Sequence, residues 1–225
     1  ATGMIGSNVP LAILPGGTGN ALASELGISQ QLKSAAELIC DETHRLRSID
    51  AGKVGERYFF LRAGMGLGVS LVEKADREMK DRFGFLAYAF SALDVMQKPE
   101  HAMYKLKLDG EELEYDGIAC VIANSGFMGK FNFKLSSKIT PDDGLLDVII
   151  MNDDLDSALA MAASIVEREE YTAALRHWQV KKVSIEVDPP LSVRGDGEEF
   201  GETPLEIEVV PQAVSVIVPG EKAEA

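Results

Sequence analysis

A chain of 225 residues, 46% of them apolar, can hold one large or two small soluble domains. Its formal charge of −14 and pI of about 4.7 argue against a nucleic-acid-binding surface and against broad adhesion to anionic lipid, since both need clustered basic side chains. No segment approaches the roughly 18 unbroken apolar residues of a membrane span, and no basic region followed by an apolar core marks a signal peptide.

The informative stretch comes early, as VPLAILPGGTGNALASEL from Val9 to Leu26. Pro10–Leu14 reads as a buried strand, stopped by Pro15-Gly16-Gly17. Thr18-Gly19-Asn20 then opens an Ala/Leu-rich helix with Asn20 in the N-cap position. Such a corner lets backbone N–H groups approach an anion, because glycine has no Cβ. The same residues also fit an ordinary strand-to-helix turn. No Lys follows the glycines, so this is not a Walker A loop.

Leu32–Cys40 has the apolar spacing of a helix. Near residues 41 to 46 the character changes to β. His44–Val54 and Arg57–Ala63 read as strands joined by Gly55-Glu56. Gly64-Met65-Gly66-Leu67-Gly68 reads as a Gly-rich turn that permits close packing. Val69–Lys80 and Phe83–Met96 read as helices, the second apolar around most of its girth. Its aromatics Phe83, Phe85, Tyr88 and Phe90 suit either a domain core or the border of an apolar slot. Met103–Leu108 and Glu114–Ala123 flank Asp109-Gly110, a hairpin signal. Leu145–Met151 is a further strand, and Leu155–Val166 an amphipathic helix with acid at its start. From Trp178 onward, strands are expected at Val180–Val187, Leu191–Arg194, Leu205–Val210 and Val214–Val218.

Asp142-Asp143-Gly144 and Asp196-Gly197-Glu198 fit turns in which Asp tolerates the geometry and Gly takes positive φ. Cys40 and Cys120 have no metal spacing and read as buried free thiols of a reducing cytoplasm. His44, His101 and His177 form no triad or metal pattern and read as structural. Acid runs such as Glu111-Glu112 read as solvated faces, and residues 220–225 as a frayed tail.

PLAILPGGTGNALASELGI resembles the P-x-G-T-x-N segment of the diacylglycerol kinase catalytic family, which includes bacterial lipid kinases and sphingosine and ceramide kinases. Three later segments match the same family in order: SALDVM after RFGFLAYAF, then ITPDDGLLDVII, then VRGDGEEFGETPLEIEVVPQAVSVIVP. The resemblance covers the family's C-terminal two-thirds, and its G-G-D-G-T nucleotide loop is not among these residues. It implies an α+β protein: residues 1–43 as the remnant of an α/β nucleotide-binding domain, then an antiparallel β-sandwich-like domain with a few helices over 44–219.

The implied activity is transfer of the ATP γ-phosphate to a hydroxyl of diacylglycerol or a related lipid. Gly16, Gly17, Thr18, Gly19 and Asn20 would line the nucleotide phosphates. Asp143 would give a carboxylate, and Thr140 and Leu145 main-chain oxygens, to a structural Mg²⁺, with Asp142 and Asp147 as second choices. Asp196 would be the general base on the lipid hydroxyl and Glu198 the next choice, since an alcohol must lose its proton as the bond to phosphorus forms. Ala21 and Gly68 stand where relatives often carry Asp, which weakens the case for diacylglycerol itself. The implied setting is a cytoplasmic protein that meets a membrane surface transiently, with no nucleic-acid partner and a homodimer left open. Without the G-G-D-G-T wall the isolated chain is expected to have little kinase activity. An NAD kinase-like enzyme and a non-catalytic lipid- or nucleotide-binding module are the alternatives.

Overall fold

The computed structural model describes residues 2–17, 19–66, 100–127, 138–152 and 176–220. Thr18, Gly68 and the three helices expected over 69–80, 83–96 and 155–166, with the aromatics of the second, lie outside the described residues.

Two six-stranded antiparallel sheets dominate. Across the first run β2 (Arg57–Phe59), β1 (Arg45–Val54), β12 (Leu205–Val218), β9 (Lys182–Val187), β4 (Ala102–Leu108) and β5 (Glu111–Gly117). Across the second run β11 (Glu198–Glu202), β10 (Ser192–Gly195), β3 (Arg62–Gly66), β6 (Ala119–Ala123), β7 (Leu146–Met151) and β8 (Arg176–Val180). This is a β-sandwich with few helices.

Period-two alternation explains why the sheets face each other. On β4, Tyr104, Leu106 and Leu108 are buried while Met103, Lys105 and Lys107 are exposed. Together with Val183, Ile185 and Val187 of β9, these inward residues meet Met65, Cys120, Ile122, Leu146, Val148 and Ile150 from the second sheet. Lys105 and Lys107 instead pair with Glu186 and Glu112 on the outer face, as a solvated acid run implies. Each such exposed pair adds well under about 1 kcal/mol.

Three runs that read as single strands each change sheet partway. Arg57–Ala63 splits at Phe60-Leu61 into β2 and β3, Glu114–Ala123 splits at Ile118 into β5 and β6, and Val180–Val187 splits at Lys181 into β8 and β9. Both halves of each run are apolar enough for a strand, so composition does not mark the corner. Gly64-Met65-Gly66, expected as a turn, is β strand, because Met65 must face the core beside Cys120. The separate strands expected at 205–210 and 214–218 are one strand, β12, which bends at Gln212 with φ +51°.

A second core lies around the N-terminal segment. Helices α1 (Ala21–Glu25) and α2 (Leu32–Cys40) bury Ala23 and Ala35 beside Leu26 and Ile28. They pack on Ile49 and Ala51 of β1 and on Ala213, Val214, Val216 and Val218 of β12. Residues of the expected nucleotide unit thus share a core with strands from both ends of the sandwich segment. Pro10–Leu14 does not form a buried strand: Leu14 is 51% exposed and Val9 63%. The run touches β12 through one parallel bridge, Leu11 to Val216, in which Leu11 N donates to Ser215 O (2.7 Å) and Ile217 N to Leu11 O (2.9 Å). With one strand neighbour it buries one side only. Both cysteines are free thiols, but Cys40 is exposed, on the wet face of α2. Cys120 is buried, and burial pushes its thiol up to about 12.

Gly52 faces Phe59 across the β1/β2 ladder, and a Cβ there would run into the Phe59 ring, which is fully buried. Gly52→Ala is expected to displace that ring and cost about 1–3 kcal/mol of stability, measured as a shift in the urea unfolding midpoint at unchanged slope.

Candidate active site

Asp196-Gly197 is the two-residue loop of the β10/β11 hairpin, closing between Gly195 and Glu198. Both loop residues have positive φ, +49° and +90°, the backbone of a type I′ turn, which Asp-Gly suits. The turn therefore follows from local chemistry. The destination of the Asp196 side chain does not: it reaches the Phe60-Leu61-Arg62 corner, where β2 gives way to β3. Oδ2 accepts from Phe60 N (2.6 Å) and Leu61 N (3.1 Å), and Oδ1 from Arg62 N (3.0 Å). Asp196 N in return donates to Arg62 O at 3.1 Å. Both carboxylate oxygens are committed to main chain. Arg57, at the start of β2, adds a bond from its guanidinium to Glu199 O.

Glu198 begins β11 and is exposed. Among the described residues no hydrogen bond or ion pair engages its carboxylate.

The carbonyls of the corner are also occupied. Leu61 O accepts from Asn124 N and Ser125 N, and Phe60 O from Asn124 Nδ2 at 3.0 Å. Asn124 is fully buried and spans to Asp50 O with the same amide nitrogen (3.0 Å). After it, Ser125, Gly126 and Phe127 turn back toward α1. Arg62 Nη2 donates to Phe127 O at 2.7 Å. Burial pulls the Arg62 guanidinium below its ordinary range, and the adjacent Asp196 pulls the other way.

Asp50, buried on β1, organises the second acidic turn. Its carboxylate accepts from Gly144 N (2.7 Å) and from Gln212 N at the bend of β12 (2.8 Å), and its own N–H donates to Pro141 O (2.6 Å). Within that turn, Asp142 makes a two-pronged ion pair with Arg47 (2.8 Å each), whose guanidinium holds the Asp142 carboxyl below the usual carboxylate range. Asp143 accepts from Leu145 N (2.9 Å) and Thr140 Oγ1 (3.2 Å), which draws together the three residues expected around a cation. Burial pushes the Asp143 carboxyl above its ordinary range, and the nearby Asp147 and Asp50 carboxylates add to this. Asp147 is fully buried. One of its oxygens meets His177 Nε2 at 2.5 Å and the other has no partner.

At the glycine corner, Gly16 N donates to Leu14 O (2.9 Å) and Gly17 N to Asn20 Oδ1 (2.9 Å). Asn20 occupies the N-cap position of α1 in left-handed conformation, but its side chain caps Gly17 rather than a helix amide. These two amides are spent inside the turn. A Cβ built on Gly16 would meet nothing within 4 Å, so its face is open.

The helix that follows the glycine corner reaches the loop beside the acid turn through one side chain. The Glu25 carboxylate, at the end of α1, accepts from Ser125 Oγ (2.6 Å), Gly126 N (3.0 Å) and Phe127 N (3.3 Å). The sequence assigned no role to Glu25, Asp50, Arg62 or Asn124. Asp50 carried one signal, a charge between Ile49 and Ala51, and Asn124 another, as the residue that ends an apolar run before a glycine.

A two-sheet sandwich that shares a core with a glycine corner's short helix, with two acidic turns held on its strands, defines the class of the lipid kinases. Residues 63–218 match the family described as the YegS C-terminal NAD kinase beta sandwich-like domain, and residues 1–54 the diacylglycerol kinase catalytic domain. The chain is 32% identical over 222 residues to a Staphylococcus haemolyticus protein named "putative lipid kinase", covering 96% of this chain and 70% of that protein. An uncharacterized protein of Synechocystis is 27% identical over 233 residues, with 99% of this chain but 52% of that protein covered. The crystal structure of "a putative diacylglycerol kinase" from Bacillus anthracis str. Sterne superposes with a TM-score of 0.75 at 26% identity, covering 93% of this chain and 69% of the other. The chain belongs to the diacylglycerol kinase-type lipid kinase family and spans between about half and 70% of the length of these relatives. Among the described residues no helix is long and apolar enough to cross a membrane.

Because the folded state raises the Asp143 carboxyl, it binds that proton more tightly than the unfolded chain does. The Asp143 contribution is therefore fully present below the unfolded value and is lost as pH rises through the folded one. Without divalent cations, Asp143→Asn is expected to melt higher than the parent at pH 7, and the gap should close as pH falls below about 4. Paired melting curves from pH 3 to 8 check this.

Proposed function

We propose that this chain carries the acceptor side of an ATP-dependent lipid kinase, with Glu198 as the general base and Asp196 as the residue that fixes its turn. The observation that carries this is the division of labour between the two acids. Both Asp196 oxygens are taken by main-chain amides, whereas the Glu198 carboxylate two residues later is exposed and unengaged. A base must reach a hydroxyl and accept its proton, and Glu198 is free to do so.

Phosphoryl transfer asks the protein mainly for positioning and charge. In this reading the lipid hydroxyl lies against Glu198, whose carboxylate takes the proton as the oxygen bonds to the γ-phosphorus and ADP leaves. The open face of Gly16, with Gly17, Thr18, Gly19 and Asn20, would border the triphosphate.

The second acidic turn fits a hard cation. Asp143 is crowded by like charge, Asp147 keeps a buried oxygen without a partner, and Thr140 and Leu145 can offer main-chain oxygens. Among the described residues no three acidic, His or Cys side chains converge as a ligand set, so main-chain oxygens would complete the shell. Asp142 is committed to Arg47 and would stand outside it. Bound Mg²⁺ would supply charge that holds the turn.

The test supplies the family's G-G-D-G-T loop, natively or by fusion to a relative's first third, and follows label from γ-labelled ATP into a panel of diacylglycerol, sphingosine-type lipids and NAD. Glu198→Gln is expected to lower transfer to lipid by about 10²–10⁴-fold while leaving the unfolding midpoint within error. Asp196→Asn should lower both. Label in NAD alone, or full activity of Glu198→Gln, would overturn the reading.

A further inference from the structure

We infer that Glu25 is a positioning residue that ties the helix behind the glycine corner to the acid turn through a relay of charge-assisted hydrogen bonds. Glu25 is the last residue of α1, where a carboxylate is opposed by the helix's carbonyl end. Its place there is compensated from outside the helix. The consecutive N–H groups of Gly126 and Phe127 and the hydroxyl of Ser125 converge on one of its oxygens, a nest for an anion built from residues about a hundred positions away.

The relay continues without a break. The Phe127 carbonyl, on the far side of the peptide chain that Glu25 holds, accepts from Arg62 Nη2. Arg62 lies beside Asp196 and gives it a main-chain N–H, as do Phe60 and Leu61. Ser125 N also donates to Leu61 O, so the nest and the corner share a wall. Charge alternates along the path, from Glu25 carboxylate to Arg62 guanidinium to Asp196 carboxylate, and each junction has an ionised partner, which makes it stronger than a neutral bond. The partners are 65 to 136 residues apart in sequence, so no local structure can substitute for them. The relay sets where the β10/β11 turn stands relative to α1. Only its purpose, placing Glu198 against a nucleotide, rests on the kinase reading.

Amide hydrogen exchange on the 225-residue chain tests the relay without nucleotide or lipid, so failure of the kinase assay and failure of this inference are separate results. In Glu25→Ala, exchange at Leu61 and Arg62, two links from the substitution, is expected to speed up about tenfold, with β4 and β9 amides unchanged, as for a sub-global opening. Glu25→Gln keeps an acceptor oxygen and is expected to recover most of the protection. Ala35→Gly, which loosens the same core from α2, serves as the control and should not single out Leu61 and Arg62. If Glu25→Ala does not fold, Ser125→Ala, which removes the shortest donor, takes its place with the same expectation. The inference is overturned if acceleration stops at Gly126 and Phe127, or if Leu61 and Arg62 respond no more than in Ala35→Gly.

Discussion

Three consecutive peptide groups, Phe60 to Arg62, hold the candidate site of this structure together. At a corner where the chain leaves one sheet for the other, their N–H groups turn away from the ladders and need another acceptor. Asp196 satisfies all three, while Asn124, Ser125 and the Asp196 N–H take the carbonyls. One necessity of folding thereby fixes the β10/β11 turn and the 124–127 loop against the same few atoms. The chemistry proposed for Glu198 sits on that fixture.

The same solution recurs. Asp109, in the other Asp-Gly hairpin and at nearly the same φ, turns its carboxylate onto Lys181 N and Lys182 N, where β8 passes into β9. Two of the three runs that change sheet partway are thus capped at the crossing by an aspartate from a type I′ turn. The third, at Ile118, uses the Met151 carbonyl instead. An Asp-Gly turn in this fold serves two roles at once: glycine and aspartate supply the backbone shape, and the side chain closes a distant corner.

What could be read from the sequence divides along the same line. The hairpin at Asp109-Gly110, the turn at Asp196-Gly197, helix α2 over Leu32–Cys40 and the strand at 146–151 are set by neighbouring residues, so local pattern suffices for them, whereas the strand Glu198–Glu202, mostly acidic and exposed, gave no such pattern. The sheet changes within RYFFLRA and KKVSIEV were invisible because an apolar strand looks alike on either sheet. Asp196 stood out as a candidate base from family resemblance, yet its three amide partners lie over 130 residues away and could only be found in three dimensions. Glu25 gave no signal for the same reason, since its partners lie about a hundred residues away.

The ribbon formed by β1 and β12 runs through both cores, with its bend at Asp50 and Gln212. In topological terms the sandwich is an excursion between two adjacent strands: the chain departs along β1 and comes home along β12. The two halves are therefore not beads on a string. Any twist between the helices packed on one end of that two-stranded stem and the strands packed on its other end has to pass through its bend, which is clamped by the same buried aspartate that shapes the 141–144 turn.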